Sequence, residues 1–380
     1  MSDILQIVYD LNCGGVEAFV TNLNSCSDIF KEPFDFILFT SDEKEQFFES
    51  KNRELGSNII KIVDSHYGTQ KFKYLRKRFA LYRIIKKNKY RVVHIHKESA
   101  ICIVEAVVAK IAGAKCVIVH SHNTQNVHQD LRGKVENFLQ RVLQHFWPFV
   151  ADYLCACSTE AGQWLFGKSE IEKGNVRILK NGIKGSDYYF SPQIRELYRK
   201  RLQWENYKII GHVGRFSEQK NHSFIIDIFS EAYRKDKNVR LILFGTGELE
   251  NQVREKVADL GLTKEVCFAG TSPEINRWLQ AMDLFLFPSL YEGLPIAGIE
   301  AQAAGVPILA SDTISSELKI TDKIQWMSLT CPAFEWAETA LRLIYEESDR
   351  DTANEIRGAG YDIVCTAEQI NQLYRKSVRE

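Results

Sequence analysis

Glu292 and Glu300 stand eight positions apart in "SLYEGLPIAGIEAQAAGVPILASD", on either side of a Gly293-Leu294-Pro295 turn. The apolar run "DLFLFP" before the turn reads as a strand and the stretch after it as a helix, with Pro295 expected as the first helical residue. Free amides and the dipole at a helix start attract anions, phosphate above all. Gly293 lets the backbone come close to such a ligand. At the helical rise, Pro295 to Glu300 spans roughly 7 Å. Carboxylates accept hydrogen bonds from vicinal hydroxyls but repel phosphate. A diphosphate at the helix start, a sugar beside Glu292 and a ribose beside Glu300 would therefore separate the roles. The alternative is a capping carboxylate followed by a solvent-facing helical one.

Cations stand ready elsewhere. "GHVGRFSEQKNHSF" places Arg215 at a strand end and Lys220 in the next loop, where two positive charges could neutralise a leaving diphosphate or simply be solvated. "FGTGELE" adds Gly245 and Gly247, read as a tight turn into a helix. Near the N-terminus, "DLNCGGVEAF" carries Gly14 and Gly15 between a strand and a helix, without the full dinucleotide fingerprint or a P-loop lysine. His94 and His96 in "VVHIHKES", and His120 and His122 in "VIVHSHNT", fall at two strand ends. At least one of them is expected to face a ligand. The alternating spacing is read here as placing the members of each pair on opposite faces of a strand. Without an HExxH, and with the Asp349-x-Asp351 pair in a polar stretch, no bound metal is expected.

Such residues need a scaffold that gathers strand ends. The chain has 380 residues, which suggests two domains. Apolar runs alternate with amphipathic stretches throughout, which predicts parallel sheets built from βαβ units. The expected strands are 4–9, 34–39, 59–63, 92–95, 116–119, 153–157 and 176–179, then 208–213, 240–244, 266–268, 284–287 and 307–310. The pattern restarts after "ILKNGIKGSDYYFSP", so an α/β architecture of two Rossmann-like, doubly wound domains is expected, covering residues 1–185 and 186–361. The helical segment 362–380 is expected to pack back on the first. Ligands of such sheets bind beyond the C-terminal ends of the strands.

Composition narrows the partners. Lys plus Arg equals Asp plus Glu at 49 each, so charge gives no case for nucleic-acid binding. The nine cysteines form no CxxC pair, which fits free thiols in a reducing compartment. Neither a secretory leader nor a run long enough to span a bilayer is seen. One patch is charged: residues 71–91, "KFKYLRKRFALYRIIKKNKYR", hold ten Lys or Arg and no Asp or Glu. Phe72, Leu75, Phe79 and Tyr82 recur in it at helical spacing. Either that stripe packs on a sheet, or a basic amphipathic helix meets an anionic membrane surface.

Taken in order, the Gly-Gly loop, Arg215 with Lys220, Glu292-x7-Glu300, "CSTEAGQWLFG" and "ILKNGI" resemble the retaining glycosyltransferases of family 4, of the GT-B fold, over essentially the whole chain. The bacterial capsule and exopolysaccharide members are the nearest in pattern. The resemblance implies that Arg215 and Lys220 bind a donor diphosphate, Glu300 its ribose and Glu292 the donor sugar, with Gly293, Leu294 and Pro295 in the same donor set. It also implies that Gly14 and Gly15 lie near the phosphates and acceptor, and that His120 serves at the donor–acceptor junction. His96, His122 and Asn123 would then be acceptor-side residues. Ala297 and Gly298, smaller than is usual in this subgroup, would change the room around the donor sugar. The implied reaction moves a sugar from a nucleotide sugar, a UDP-sugar first, to a lipid-linked saccharide in surface polysaccharide synthesis, without a cofactor or metal. The implied location is cytoplasmic, peripheral at the inner face of the membrane. A UDP-sugar 2-epimerase of the same fold and a non-catalytic partner subunit are the alternatives.

Overall fold

The structure is a computed structural model that describes residues 2–12, 14–41, 43–64, 70–97, 99–122, 139–292, 294–346 and 349–379. Asn123 and Gly293, both singled out above, lie outside these. The chain forms two compact units, residues 1–182 with 363–380, and residues 183–362.

In the first unit the strands are β1 (Ile4–Val8), β2 (Asp35–Leu38), β3 (Ile59–Lys61), β4 (Val92–His96), β5 (Cys116–Ser121), β6 (Tyr153–Ala156) and β7 (Val176–Ile178). They form one sheet in the order β3-β2-β1-β4-β5-β6-β7, and every pairing is parallel. β1, β4 and β5 are buried along their whole length, as near-continuous apolar runs in a sheet covered on both faces should be. Sequence order reverses between β1 and β4. The helix Ile363–Arg379 belongs to this unit: Asn371 donates to the Ile29 carbonyl at 2.7 Å, and the Tyr374 ring packs on Phe30 and Phe34.

In the second unit β8 (Lys208–Val213), β9 (Val239–Phe244), β10 (Val266–Gly270), β11 (Leu284–Phe287), β12 (Ile308–Ser311) and β13 (Ile324–Met327) form a parallel sheet in the order β10-β9-β8-β11-β12-β13. The reversal here falls between β8 and β11. The unit opens with the helix Pro192–Leu202, capped by the Ser191 hydroxyl on the Ile194 amide with Pro192 in its first turn. Two of its four basic residues are structural. Arg195 and Arg199 grip Asp283, just ahead of β11, and hold that carboxyl below its ordinary range despite the burial that raises it. These ion pairs fix the N-terminal end of β11, so the opposite end of the sheet carries the loops of interest.

Both reversals have the same consequence. At each one the loops leaving two adjacent strands diverge to opposite faces of the sheet and leave a crevice at the strand C-termini. Candidate residues lie in the loops after β1, β8 and β11, at the end of β4, and at and just beyond the end of β5.

Candidate functional site

In the second unit Arg215 and Lys220 follow β8, while Glu292 and the helix Ile296–Ala303 follow the neighbouring β11. Lys220 Nζ lies 2.5 Å from Glu292 Oε1, and both side chains are largely buried. The Lys220 ammonium also stands 5.2 Å from the centre of the Phe287 ring at the end of β11. Flanking residues splice the two loops together. Leu290 N donates to the Gln219 carbonyl at 2.8 Å, Gln219 Nε2 to the Tyr291 carbonyl at 3.0 Å, and Asn221 Nδ2 to the Pro288 carbonyl at 3.1 Å. Asn221 has a φ of 55°, a left-handed turn that asparagine tolerates. Below the turn, the Ser311 and Thr313 hydroxyls both donate to the Ser289 carbonyl. Gln219, Asn221, Ser311 and Thr313 were not singled out in the sequence. Their one signal is adjacency, since "SEQKNH" and "ASDT" sit beside residues of evident chemical use.

Arg215 is exposed and paired with Glu248 at 3.1 Å. Its loop owes its course to the "FGTGELE" glycines. A Cβ on Gly245 would stand 2.0 Å from the Gly214 carbonyl oxygen, and Gly245 has a φ of 131°, forbidding to L side chains. A Cβ on Gly247 would meet the Phe216 carbonyl oxygen at 2.4 Å. The pair forms the turn into the helix Glu250–Asp259, with Glu250 N donating to the Gly247 carbonyl at 3.2 Å, and it is also the bed on which the Arg215 loop lies. Gly245→Ala should therefore push that loop away. The expected result is a stability loss of about 1–2 kcal/mol, a melting point lower by about 2–8 °C, and a weakened contribution from Arg215. An unchanged melting curve in differential scanning calorimetry would rule this out.

The helix start differs in detail from expectation. Pro295 is extended, with φ −75° and ψ 122°, and precedes the helix, so Ile296 is its first residue. No side chain caps this end; the Gly298 amide turns back to the Pro295 carbonyl at 3.1 Å, which leaves the Ile296 and Ala297 amides open to an anion. Leu294 is half-buried beside them. One turn on, Glu300 Oε1 accepts a hydrogen bond from the Tyr188 hydroxyl at 2.5 Å. Burial pushes the Glu300 carboxyl up to about 7, against that hydrogen bond, which favours the ionised form. Gly298 does not face the ligand side. A Cβ there would meet Leu318 Cδ1 at 2.8 Å, so its size serves the packing of the helix on the Ser316–Leu318 turn.

In the first unit Gly14 precedes the helix Gly15–Asn24, and a Cβ on Gly14 would stand 2.2 Å from Glu17 Oε2. The carboxylate thus occupies the space a side chain would need. Phe19 of that helix packs against the rings of His96, His120 and His122. Here the sequence reading is overturned. Strand side chains repeat every two residues, so positions i and i+2 share a face. All four histidines accordingly gather on one side: His94 and His96 ring centres lie 4.1 Å apart, His120 and His122 4.2 Å, His94 and His120 5.4 Å. His94, His96 and His120 are buried rather than turned to solvent, and His122 alone is partly accessible. Burial lowers the affinity of all four for a proton, His122 to about 4.

The basic stretch forms the helix Gln70–Asn88. Leu81 and Ile85 face the core, whereas Tyr74, Leu75 and Phe79 are exposed, Leu75 by 69% and Phe79 by 59%. The Leu75–Phe79 stripe therefore does not pack on the sheet, and Tyr82 lies partly buried at its margin. The Phe72 side chain lies outside the described residues. Some of the cations turn inward, Lys73 and Lys77 to Asp64 and Arg78 to Glu105. Arg76, Arg83, Lys86 and Lys87 are exposed with the stripe. No helix among the described residues is long and apolar enough to cross a membrane.

Two parallel sheets of Rossmann order, each with candidate residues at its strand C-termini, are the α/β architecture of the GT-B fold. Residues 194–362 match the family model for glycosyl transferases group 1, and residues 14–144 the model for glycosyl transferase 4-like chains. A Bacillus subtilis protein with the name "Putative glycosyltransferase EpsF" is 32% identical over 353 residues, 89% of this chain and 87% of that one. The chain belongs to the group 1 glycosyl transferases, glycosyltransferase family 4, and is an enzyme of that class. The UDP-Gal:alpha-D-GlcNAc-diphosphoundecaprenol alpha-1,3-galactosyltransferase of Escherichia coli is 26% identical over 78% of each chain. Among solved structures, HepE of Anabaena in complex with UDP and glucose superimposes with a TM-score of 0.78 at 18% identity, over 98% of this chain and 99% of that one, a likeness of fold.

Proposed function

We propose that this enzyme is a retaining transferase that moves a sugar from a UDP-sugar to a lipid-linked saccharide during assembly of a bacterial surface polysaccharide such as a capsule or exopolysaccharide. The observation that carries the reading is the Lys220–Glu292 pair at the mouth of β8 and β11, with Arg215 and an uncapped helix start beside it. Loss of a nucleoside diphosphate builds negative charge on the leaving group and positive charge at the anomeric carbon. Preorganised cations and helix amides stabilise the former without reorganising as the reaction proceeds. Arg215, Lys220 and the Ile296–Ala303 helix take that role here, in the second unit, and no metal is assigned to it. Glu292, held by Lys220, receives donor-sugar hydroxyls, and Glu300 receives the ribose. In the first unit Gly14 and Gly15 lie near the phosphates and acceptor, and His122, the partly accessible histidine, serves the acceptor side, with the buried His96 and His120 behind it at the donor–acceptor junction. Same-face attack accounts for retention, since no dedicated nucleophile stands among these groups.

The likeness to the galactosyltransferase of Escherichia coli, whose name gives a UDP-sugar and a diphosphoundecaprenol acceptor, supports this choice of donor and acceptor. The fold of HepE, solved with UDP and glucose, is consistent with it. Incubation with a panel of nucleotide sugars, with and without a lipid acceptor extract, tests it. Transfer releases UDP and lengthens a glycan. A new sugar nucleotide or free sugar would identify an epimerase, and no turnover with any donor would point to a partner subunit.

A lipid-borne acceptor requires access to a membrane. We place the enzyme at the inner face of the cell membrane, held by the outward stripe Leu75–Phe79 and the exposed cations around it. Each Lys or Arg near an anionic surface contributes about 1 kcal/mol. Sedimentation with phosphatidylglycerol vesicles at low salt should carry the protein down, and Leu75→Ser with Phe79→Ser should leave most of it in the supernatant. Equal recovery of wild type and variant would refute the role of the stripe.

A further inference from the structure

We propose that the imidazole cluster of the first unit binds one divalent transition-metal ion of the zinc class, with His94, His96 and His120 as ligands. The cluster lies apart from the donor loops and shares His96 and His120 with the acceptor side proposed above, but the inference is tested by metal uptake alone.

Topology creates the cluster. β4 and β5 are adjacent parallel strands in which His96 pairs directly with His120, and His94 lies two residues before His96 on the same face. One ring nitrogen from each of the three lies within 4.8 Å of those of the other two. Tetrahedral zinc sites hold imidazole nitrogens at about 2.0–2.1 Å from the ion, so modest turns of the rings would close the set.

The hydrogen bonds favour ligation over packing. A neutral imidazole has one N–H and one lone pair, and both need partners when buried. Neither nitrogen of His120 has a partner, nor has Nε2 of His94. Leaving such groups unmade costs about 1–3 kcal/mol each. A metal ion would accept one lone pair from each ring and so relieve His94 Nε2 and one nitrogen of His120. Meanwhile the far side of the cluster is anchored as ligands require. Tyr374 Oη lies 2.7 Å from His94 Nδ1, and Gln6 Oε1 lies 2.8 Å from His96 Nε2. Gln6 Nε2 also donates to Tyr374 Oη at 3.1 Å, which ties the two anchors to each other. Outer contacts of this kind fix which nitrogen of a ligating histidine carries the proton. Gln6 Oε1, which only accepts, puts the proton on His96 Nε2 and leaves Nδ1 for the ion, while Tyr374 Oη can accept from His94 Nδ1 when Nε2 is the ligand. His122, now 2.9 Å from His96 Nδ1 through its Nε2, stands where a fourth ligand would come from. A donor set made only of nitrogen selects zinc, cobalt, nickel or copper over magnesium and calcium, which require oxygen.

The test uses the full chain, stripped with a chelator and dialysed against micromolar Zn²⁺ or Co²⁺. The expected result is about one ion per chain by elemental analysis, with the visible absorption of four- or five-coordinate cobalt. Mg²⁺ should not be taken up. His94→Gln and His96→Gln should each weaken Co²⁺ affinity by about 100-fold or more, and Tyr374→Phe by about tenfold. His145→Gln, at an exposed histidine of the same unit, should leave affinity unchanged. The wild-type measurement decides the matter even where a variant fails to fold, because a stripped chain that takes up neither Zn²⁺ nor Co²⁺ overturns the proposal. So does uptake that survives in the His94→Gln, His96→Gln double variant. Neither readout uses sugar transfer, so failure here is distinct from failure of the proposed function.

Discussion

Replacing Lys220 by methionine is expected to lower kcat about 100-fold or more at saturating donor, the scale of losing one transition-state charge contact. The geometry makes this sharper than a generic loss of charge. Lys220 is fixed by three local devices: its 2.5 Å pair with Glu292, its position over Phe287, and the Gln219 and Asn221 bonds to the β11 loop. A cation held in this way before substrate arrives needs no reorganisation when the diphosphate departs. Methionine keeps the stem volume against Phe287 and removes only the charge. Both variants leave the largely buried Glu292 carboxylate unpaired, which costs stability; alanine should lose as much rate and more stability, because it also removes the packing against Phe287. A melting curve taken beside the kinetics separates the two effects. Turnover of Lys220→Met near that of wild type would remove Lys220 from the reaction.

The sheets were legible because their strands are buried on both faces and so read as unbroken apolar runs. "DLFLFP" and "RLILF" could hardly be anything else in this alternating pattern. β13 escaped notice for the opposite reason: "IQWM" is short, lies at the sheet edge and is only partly covered, so it shows no such run. The site was legible wherever a residue's chemistry is unusual for its setting, as with Glu292, Glu300 and Lys220. It was not legible where the task is to hold a loop. Gly245 and Gly247 read as a turn because only three dimensions reveal the Gly214 and Phe216 carbonyls beneath them. Gly298 erred the other way, since one helix position decides whether a missing side chain faces a ligand or Leu318. For the histidines the signal was present and the period was misapplied. In the basic helix, spacing alone could not say which of two apolar stripes faces the core; Leu81 and Ile85 win that place and leave Leu75 and Phe79 outside.

Glu300 is where stability and binding pull apart. Its carboxyl titrates at about 7 in the folded chain against an ordinary value of 4.5, because burial penalises the anion more than Tyr188 rewards it. Ribose hydroxyls need the anion as acceptor, and a hydrogen bond to a charged group is worth about 1.5–3 kcal/mol. Glu300→Ala should therefore weaken UDP binding about tenfold or more, measured by calorimetry at pH 8. In wild type the affinity should also fall as the pH drops from about 8 to about 6, approaching tenfold per unit once the carboxyl is mostly protonated. UDP has its own titration in this range, but Glu300→Gln shares it, so the difference between the two proteins isolates the carboxylate. The stability effect has the opposite sign. Between 4.5 and about 7 the folded chain keeps a proton that the unfolded chain releases, so this group's contribution to stability declines as the pH rises through that window. Glu300→Gln, permanently neutral, should thus melt higher than wild type at pH 8 while binding UDP more weakly. An unchanged UDP affinity in Glu300→Ala would remove the residue from the site. A melting point for Glu300→Gln at or below wild type at pH 8 would show that the carboxylate is not held at the cost inferred here.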